Sequence, residues 1–190
     1  GRSREFYQAD VDLVGLGDAR GEAEVVVVAA KVLRAFGATG EDFVIRVNSR
    51  ALVNQAGASL GLSTEETTAY LGLLDRKDKM PAEEFESARE AFRRNGTDPL
   101  ELILARTDEA TDAEYAKVLD LLSQWEARGI TNVVFDPTIA RGFLYYTGLI
   151  FEIEVEGYDV GSIGGGGRYD NLIGMFAGKQ VPAVGFAFGF

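Results

Sequence analysis

What most constrains this chain is where its alternation stops. Residues 49–129 contain no stretch with the apolar/polar period of two that a half-buried strand requires, while the segments on either side do. In residues 2–14, Tyr7, Ala9, Val11 and Leu13 fall on one face, and Arg2, Arg4, Phe6, Gln8, Asp10 and Asp12 on the other. The first face is expected in the core. The second carries an ordered row of Arg, Gln and Asp and is expected to line a pocket. After a helix over residues 22–36, stopped by Gly37, comes a short strand over 43–48 with Arg46 and Asn48 as its polar side. The strand-free middle is written in helix boundaries. Ser49 to Ala56 ends at Gly57, and Ser63-Thr64-Glu65-Glu66 is a capping box opening a helix to about Leu74. Pro81 with Glu83 and Glu84 opens another, closed by Arg93, Arg94, Asn95 and Gly96. Thr97-Asp98-Pro99 starts a further turn, and Thr111-Asp112-Ala113-Glu114 reads as a second capping box leading to Gly129. Strand patterns return over 130–135, 149–155, 160–163 and 181–190. The expected fold is α+β: an antiparallel sheet from residues 1–48 and 130–190, flanked by helices, with a helical insertion over 49–129.

Composition narrows the chemistry. With 190 residues and 46% hydrophobic content the chain can bury one real core or a core with a smaller lobe. Cysteine and histidine are both absent, which excludes a disulfide framework, a Cys/His metal site and any scheme needing a thiol or imidazole from the protein. Carboxylates, Arg, Lys, Tyr and the backbone remain. A net charge of −11 argues against broad, non-specific grip on nucleic acid, although local patches such as Arg89, Arg93 and Arg94, or Arg76, Lys77 and Lys79, remain possible. The longest apolar stretch, residues 25–30, is flanked by Glu24 and Lys31 and is too short to span a membrane. Both ends of the sequence run in strand pattern, as expected of an excerpt from a longer protein.

Three elements stand out as carriers of chemistry. The loop from Asp136 to Gly148 combines a turn-forming Pro137, Arg141-Gly142 and the Tyr145-Tyr146 pair; either these aromatics pack in the core or the loop, positioned by strands, presents a site. Gly164 to Gly167 lie between a strand pattern and a helix expected over 169–176, and are expected to form a bend whose backbone can approach a ligand closely. They match neither a Walker loop nor a dinucleotide fingerprint. In the last strand Ala183, Gly185, Ala187 and Gly189 alternate with Val184, Phe186, Phe188 and Phe190. The small face is a flat floor for a planar ligand or for a closely packed neighbour.

Taken together, these blocks strongly resemble the histidyl-tRNA synthetase family, a class II aminoacyl-tRNA synthetase family. REFYQADVDLVG resembles the second half of class II motif 2 in its histidyl form, FDPTIARGFLYYTG and SIGGGGRYDNLIGMF the two histidine-specific motifs, and VPAVGFAFGF the start of motif 3. LLDRKDKM, in the middle, resembles the family's variable insertion. The resemblance implies a class II catalytic sheet that activates histidine with ATP to histidyl-adenylate, releasing pyrophosphate, and transfers it to the 3′ end of tRNA(His). It implies a cytoplasmic homodimer, with Mg²⁺ accompanying ATP. Carried onto this sequence, Gln8 and Asp12 hold histidine, Asp12 at the α-amino group. Arg141 stands at the junction of substrate carboxylate and α-phosphate, Tyr145 and Tyr146 face the imidazole, and Gly164, Gly165 and Gly166 form the pocket floor. Arg2, Arg4 and Gly185 are placed toward ATP.

The chain departs from the family pattern at Leu144, where the family usually has Asp. Motif 1, the upstream motif 2 arginine, the motif 3 arginine and an anticodon-binding domain are not in this sequence. The excerpt alone is therefore expected to bind histidine poorly and to show no aminoacylation. A histidine-sensing regulatory subunit of ATP phosphoribosyltransferase and a synthetase-like pseudoenzyme domain are the alternatives that the same blocks leave open.

Overall fold

The structure, a computed structural model, describes residues 6–142, 145–157 and 161–189. Strand β1 (Gln8–Val14) is followed by helix α1 (Arg20–Ala35) and β2 (Phe43–Ser49). Five helices come next: α2 (Arg50–Ser59), α3 (Thr64–Leu74), α4 (Ala82–Arg89), α5 (Pro99–Ala105) and α6 (Glu109–Ala127). The chain then returns to the sheet with β3 (Val133–Phe135), β4 (Leu149–Val155) and β5 (Gly164–Arg168), before a one-turn α7 (Gly174–Ala177) and β6 (Ala183–Gly189). The strand order is β1-β6-β5-β4-β2-β3. All pairings are antiparallel except β2 with β3, so the sheet is mixed at one edge rather than purely antiparallel.

One face of the sheet carries the larger core. Phe43, Ile45 and Val47 of β2, Phe151 and Ile153 of β4, and Val184, Phe186 and Phe188 of β6 pack against α1 and α6. Helix α1 offers Val25, Val26, Ala29 and Ala30 at helical spacing, and Gly37, at φ +96°, closes its end. Trp125 of α6 is fully buried and donates its indole N–H to the Ala23 carbonyl at 3.1 Å, pinning α6 to α1. A second core joins Leu52, Val53 and Ala56 of α2, Tyr70, Leu71, Leu73 and Leu74 of α3, Phe85, Leu100 and Ile103. Ala140, from the loop between β3 and β4, is buried in that second core, so the helical block braces this loop. At its heart Arg89 pairs with Asp98 at 2.6 Å, while Asp98 also caps α5 as half of a capping box with Glu101.

Several local expectations change in context. Helix α2 runs past Gly57 because the missing Cβ is needed for packing rather than for a stop: one added there would lie 2.5 Å from the Thr67 hydroxyl oxygen. The turn that ends this segment instead uses Gly61, at φ +76°. Helix α6 begins a turn earlier than expected. Its cap is Asp108, which accepts from the Thr111 amide at 2.7 Å. The apolar face of β1 is not core. This is an edge strand paired to β6, none of the described residues covers its outer half, and Tyr7 is 84% and Val11 37% exposed; among the described residues of β1, Leu13 alone packs against the main cluster. The segment expected as a strand over 160–163 begins outside the described residues. The strand that forms is Gly164–Arg168, and the helix expected over 169–176 shrinks to α7.

Candidate active site

On the face of the sheet opposite the main core lies a cavity of about 340 Å³ lined by Gln8, Asp10 and Asp12 of β1, Arg141, Tyr145 and Tyr146 of the β3–β4 loop, Gly165 of β5, Tyr169, Leu172, and Gly185, Phe186 and Ala187 of β6. The polar face of β1 therefore does line a pocket, and the tyrosine pair stands across it. The alternation of β1 puts residues 8, 10 and 12 on this side by period two. The loop is held by Asn48, whose buried side-chain amide donates to the carbonyls of Pro137 at 3.1 Å and Ile139 at 2.9 Å. Asp136 accepts from the amide (2.9 Å) and hydroxyl (2.7 Å) of Thr138, whose oxygen in turn accepts from Lys77 at 3.0 Å.

The four glycines are a central strand, not a bend. Each is there because a Cβ would strike something, and alternation sends the four positions to different faces. At Gly165 a Cβ would overlap the Arg141 guanidinium. At Gly167 it would lie 2.9 Å from the Tyr146 ring, and on β6, at Gly185, it would overlap the Asp12 carboxylate. So the floor seats three of the site's own polar side chains. Gly164 and Gly166 turn to the other face, where a Cβ would meet the Phe188 ring at 2.8 Å and the Phe186 Cα at 2.6 Å; they do not line the cavity. Arg2 and Arg4, and also Leu144, lie outside the described residues.

Two features escaped the sequence reading. Tyr169 donates its hydroxyl to Asp12, and its ring stands edge-on to Tyr145 with centroids 6.0 Å apart. Burial, and then the bond to Asp12, pushes the Tyr169 hydroxyl well above the ordinary phenol range, so it stays a protonated donor. Tyr146 is likewise raised, by burial first and by the neighbouring Tyr145 hydroxyl, 3.4 Å away. The second feature is Arg168, which points to the core face. It pairs with the buried Glu22 and donates to the carbonyls of Leu16 (3.1 Å) and Asp18 (2.9 Å) and to Asp170 (2.9 Å), locking the start of α1 onto β5. The string Gly-Arg-Tyr-Asp contained both residues, but their partners are more than 140 positions away in sequence.

Arg141 is the cavity's cation. Its Nη1 lies 3.4 Å from the Phe151 carbonyl oxygen and 3.6 Å from Glu152, and its Cζ is 5.9 Å from the Tyr146 ring centroid. Its Nε is buried and, among the described residues, has no hydrogen-bond partner. A buried donor left unpaired costs about 1–3 kcal/mol. The other basic clusters are spoken for: Arg89 pairs with Asp98 and Glu86, Arg93 with Glu90 and Glu101, Arg94 with Glu66, and Lys79 with Asp75. Among the described residues no helix is long and apolar enough to cross a membrane.

A six-stranded sheet, antiparallel except where β2 meets β3, with α1 and α6 against its core face and a tyrosine-walled cavity on the other, is a class II synthetase-type fold. Its likeness to solved structures is close in shape: TM-score 0.82 to a protein titled an ATP phosphoribosyltransferase regulatory subunit/histidyl-tRNA synthetase from Bacillus halodurans C, at 22% identity over 97% of this chain and 51% of that one. It is 0.76 to histidyl-tRNA synthetase from Nostoc sp. PCC 7120, at 24% identity over 98% of this chain and 49% of that one. At such identities the likeness establishes the fold. The sequence carries the family: the histidyl-tRNA synthetase family model matches residues 1–190, and the chain is 38% identical to the histidine–tRNA ligases of Thermococcus kodakarensis and Pyrococcus furiosus over its whole length. The chain belongs to the histidyl-tRNA synthetase family. It spans about half the length, 47%, of these curated relatives.

Proposed function

We propose that the chain is the amino-acid-holding part of a histidine–tRNA ligase, which joins histidine to ATP as histidyl-adenylate and passes it to tRNA(His). The observation that carries this reading is the single cavity shared by Gln8, Asp12, Arg141, Tyr145 and Tyr146. A free amino acid brings an ammonium, a carboxylate and, here, a neutral imidazole. Asp12 and the Gln8 amide oxygen are acceptors for the first, Arg141 is an always-charged fork for the second, and the tyrosine hydroxyls are donors or acceptors for the third. In the reaction a carboxylate oxygen of histidine forms a bond to the α-phosphorus of ATP. The bond from that phosphorus to the bridging oxygen breaks, and pyrophosphate leaves with the electron pair. No proton moves, so neither a thiol nor an imidazole from the protein is required. Negative charge builds between carboxylate and phosphate, and Arg141, fixed beforehand, neutralises it without reorganising.

ATP would lie beside this pocket, next to the Gly185–Asp12 pair; Arg2 and Arg4, the other candidates for it, lie outside the described residues. Mg²⁺ would travel with the triphosphate, since among the described residues no three acidic side chains gather to hold it. The same reading extends to tRNA(His) as acceptor, a homodimer as the working unit, the cytoplasm as its place, and residues 49–129 as the family's helical insertion. With most basic clusters committed to internal ion pairs, grip on the tRNA falls to other parts of the enzyme. The test is histidine-dependent ATP–pyrophosphate exchange by the intact protein that carries residues 1–190. Arg141→Ala should lower exchange by at least about a hundredfold, as removal of a charge-stabilising donor does, with an unchanged circular dichroism spectrum. Full retained activity would refute the role.

A further inference from the structure

Glu152 belongs to no part of the pocket's expected machinery, yet it meets the guanidinium on which the reaction turns. It lies on the cavity-side face of β4, paired in register with Arg46 of β2 and with Gly165 of β5. The neighbouring cations have other partners. Arg46 bonds Glu154 at 2.8 Å and Asp136 at 3.1 Å, Lys79 bonds Asp75 at 3.3 Å, and Lys77 bonds Thr138 at 3.0 Å. Arg141 is the cation Glu152 pairs with, at 3.6 Å through Nη1. Directly across the strand pair, the absent Cβ of Gly165 leaves the space the guanidinium fills. Nη1 is thus anchored, by Glu152 and by the Phe151 carbonyl, while Nε remains buried and, among the described residues, unpartnered. Burial raises the proton affinity of Glu152 against the pull of Arg141. Such a carboxylate is a poor stabiliser of the fold at neutral pH; what it supplies is orientation.

We propose that Glu152 is a positioning residue for Arg141: with Nη1 held between the Glu152 carboxylate and the bare backbone of Gly165, the guanidinium is fixed in the orientation from which it meets the substrate's carboxylate. The identity of that substrate rests on the ligase reading; the seat does not. At 3.6 Å the contact is Coulombic more than hydrogen-bonded, so a neutral side chain of the same shape should lose it.

Glu152→Gln should lower kcat of histidine-dependent pyrophosphate exchange about tenfold in the intact protein, and Glu152→Asp, which keeps the charge, should recover part of that loss. Side-chain ¹⁵N–¹H spectra of the intact protein read the seat directly. The Arg141 Nε–H signal, assigned by its disappearance in Arg141→Lys, should move toward the position of a solvated arginine in Glu152→Gln while backbone amides away from the loop stay in place. A Glu152→Gln variant with an unmoved Arg141 Nε–H signal, or with kcat within twofold of wild type, overturns the proposal. If the wild-type protein shows no histidine-dependent exchange at all, the ligase reading falls, and the Arg141 signal alone decides the seat.

Discussion

Gly185→Ala tests whether the glycine floor exists to seat the site's own side chains. An ideal Cβ at position 185 lies 2.7 Å from the Val11 carbonyl oxygen and 2.8 Å from the Asp12 Cγ, and it overlaps the carboxylate oxygen that Tyr169 bonds. Asp12 and Gly185 are register partners, so the strain falls on that pair. The carboxylate oxygen must move by more than an ångström to reach an ordinary contact, and the yielding element is β1, an edge strand held by β6 on one side. Overpacking of this kind costs about 1–3 kcal/mol, offset by the few tenths to 1 kcal/mol that Gly→Ala gains through the unfolded chain. The larger effect falls on the ligand. With Asp12 displaced, the charge-assisted bond proposed between it and the substrate ammonium, worth about 1.5–3 kcal/mol, is lost, which is roughly a tenfold to hundredfold weaker Kd. Calorimetric titration of histidine into the intact protein, alongside urea melts, measures both. Gly189→Ala is the control, since among the described residues nothing lies within 4 Å of a Cβ there. If Gly185→Ala binds histidine as tightly as wild type, or if Gly189→Ala loses as much affinity, the floor is not what places Asp12 and the reasoning fails.

Two further predictions concern the frame around the site. Glu22→Gln leaves Arg168 buried without its carboxylate, and removing one partner of a buried pair costs about 3–5 kcal/mol; because Arg168 keeps two carbonyls and Asp170, the low end is expected, a Tm fall of roughly 6–12 °C for a chain of this size, and a scanning-calorimetry shift under 2 °C would contradict the lock. Burial tends to raise Asp136, but the bonds from Thr138, with Lys77 and Arg46 nearby, win and hold its carboxyl below the usual range. A depressed acid stabilises fully above its unfolded pKa, near 4, and loses that contribution as pH falls through its folded value. The stability deficit of Asp136→Asn should therefore be constant above about pH 5 and shrink steadily below pH 4; a deficit independent of pH would show that the charge of Asp136 contributes nothing.

The sequence determined the pieces whose physics is local. Capping at Ser63 and Asp98, the stop at Gly37, the period of β1, β2 and β6, and the polar row of Gln8, Asp10 and Asp12 are all set within a few residues, where hydrogen-bonding and alternation act. The order of the blocks also gathered Asp12, Arg141, Tyr145 and Tyr146 into one candidate site. Tertiary structure decided what depends on distant neighbours. Glycine has little strand preference of its own, so residues 164–167 read locally as a bend; they form a strand because β4 and β6 flank them and because Arg141 and Tyr146 need the space a Cβ would fill. The face of β1 opposite the pocket alternates like a core face, yet being at the edge it has little to bury against. Likewise, nothing near Tyr169, Arg168 or Glu152 in the chain announces Asp12, Glu22 or Arg141 as partner. Those pairings arise only when β1, α1 and the β3–β4 loop are folded against the sheet, since charge and hydrogen bonding act across space and not along the chain.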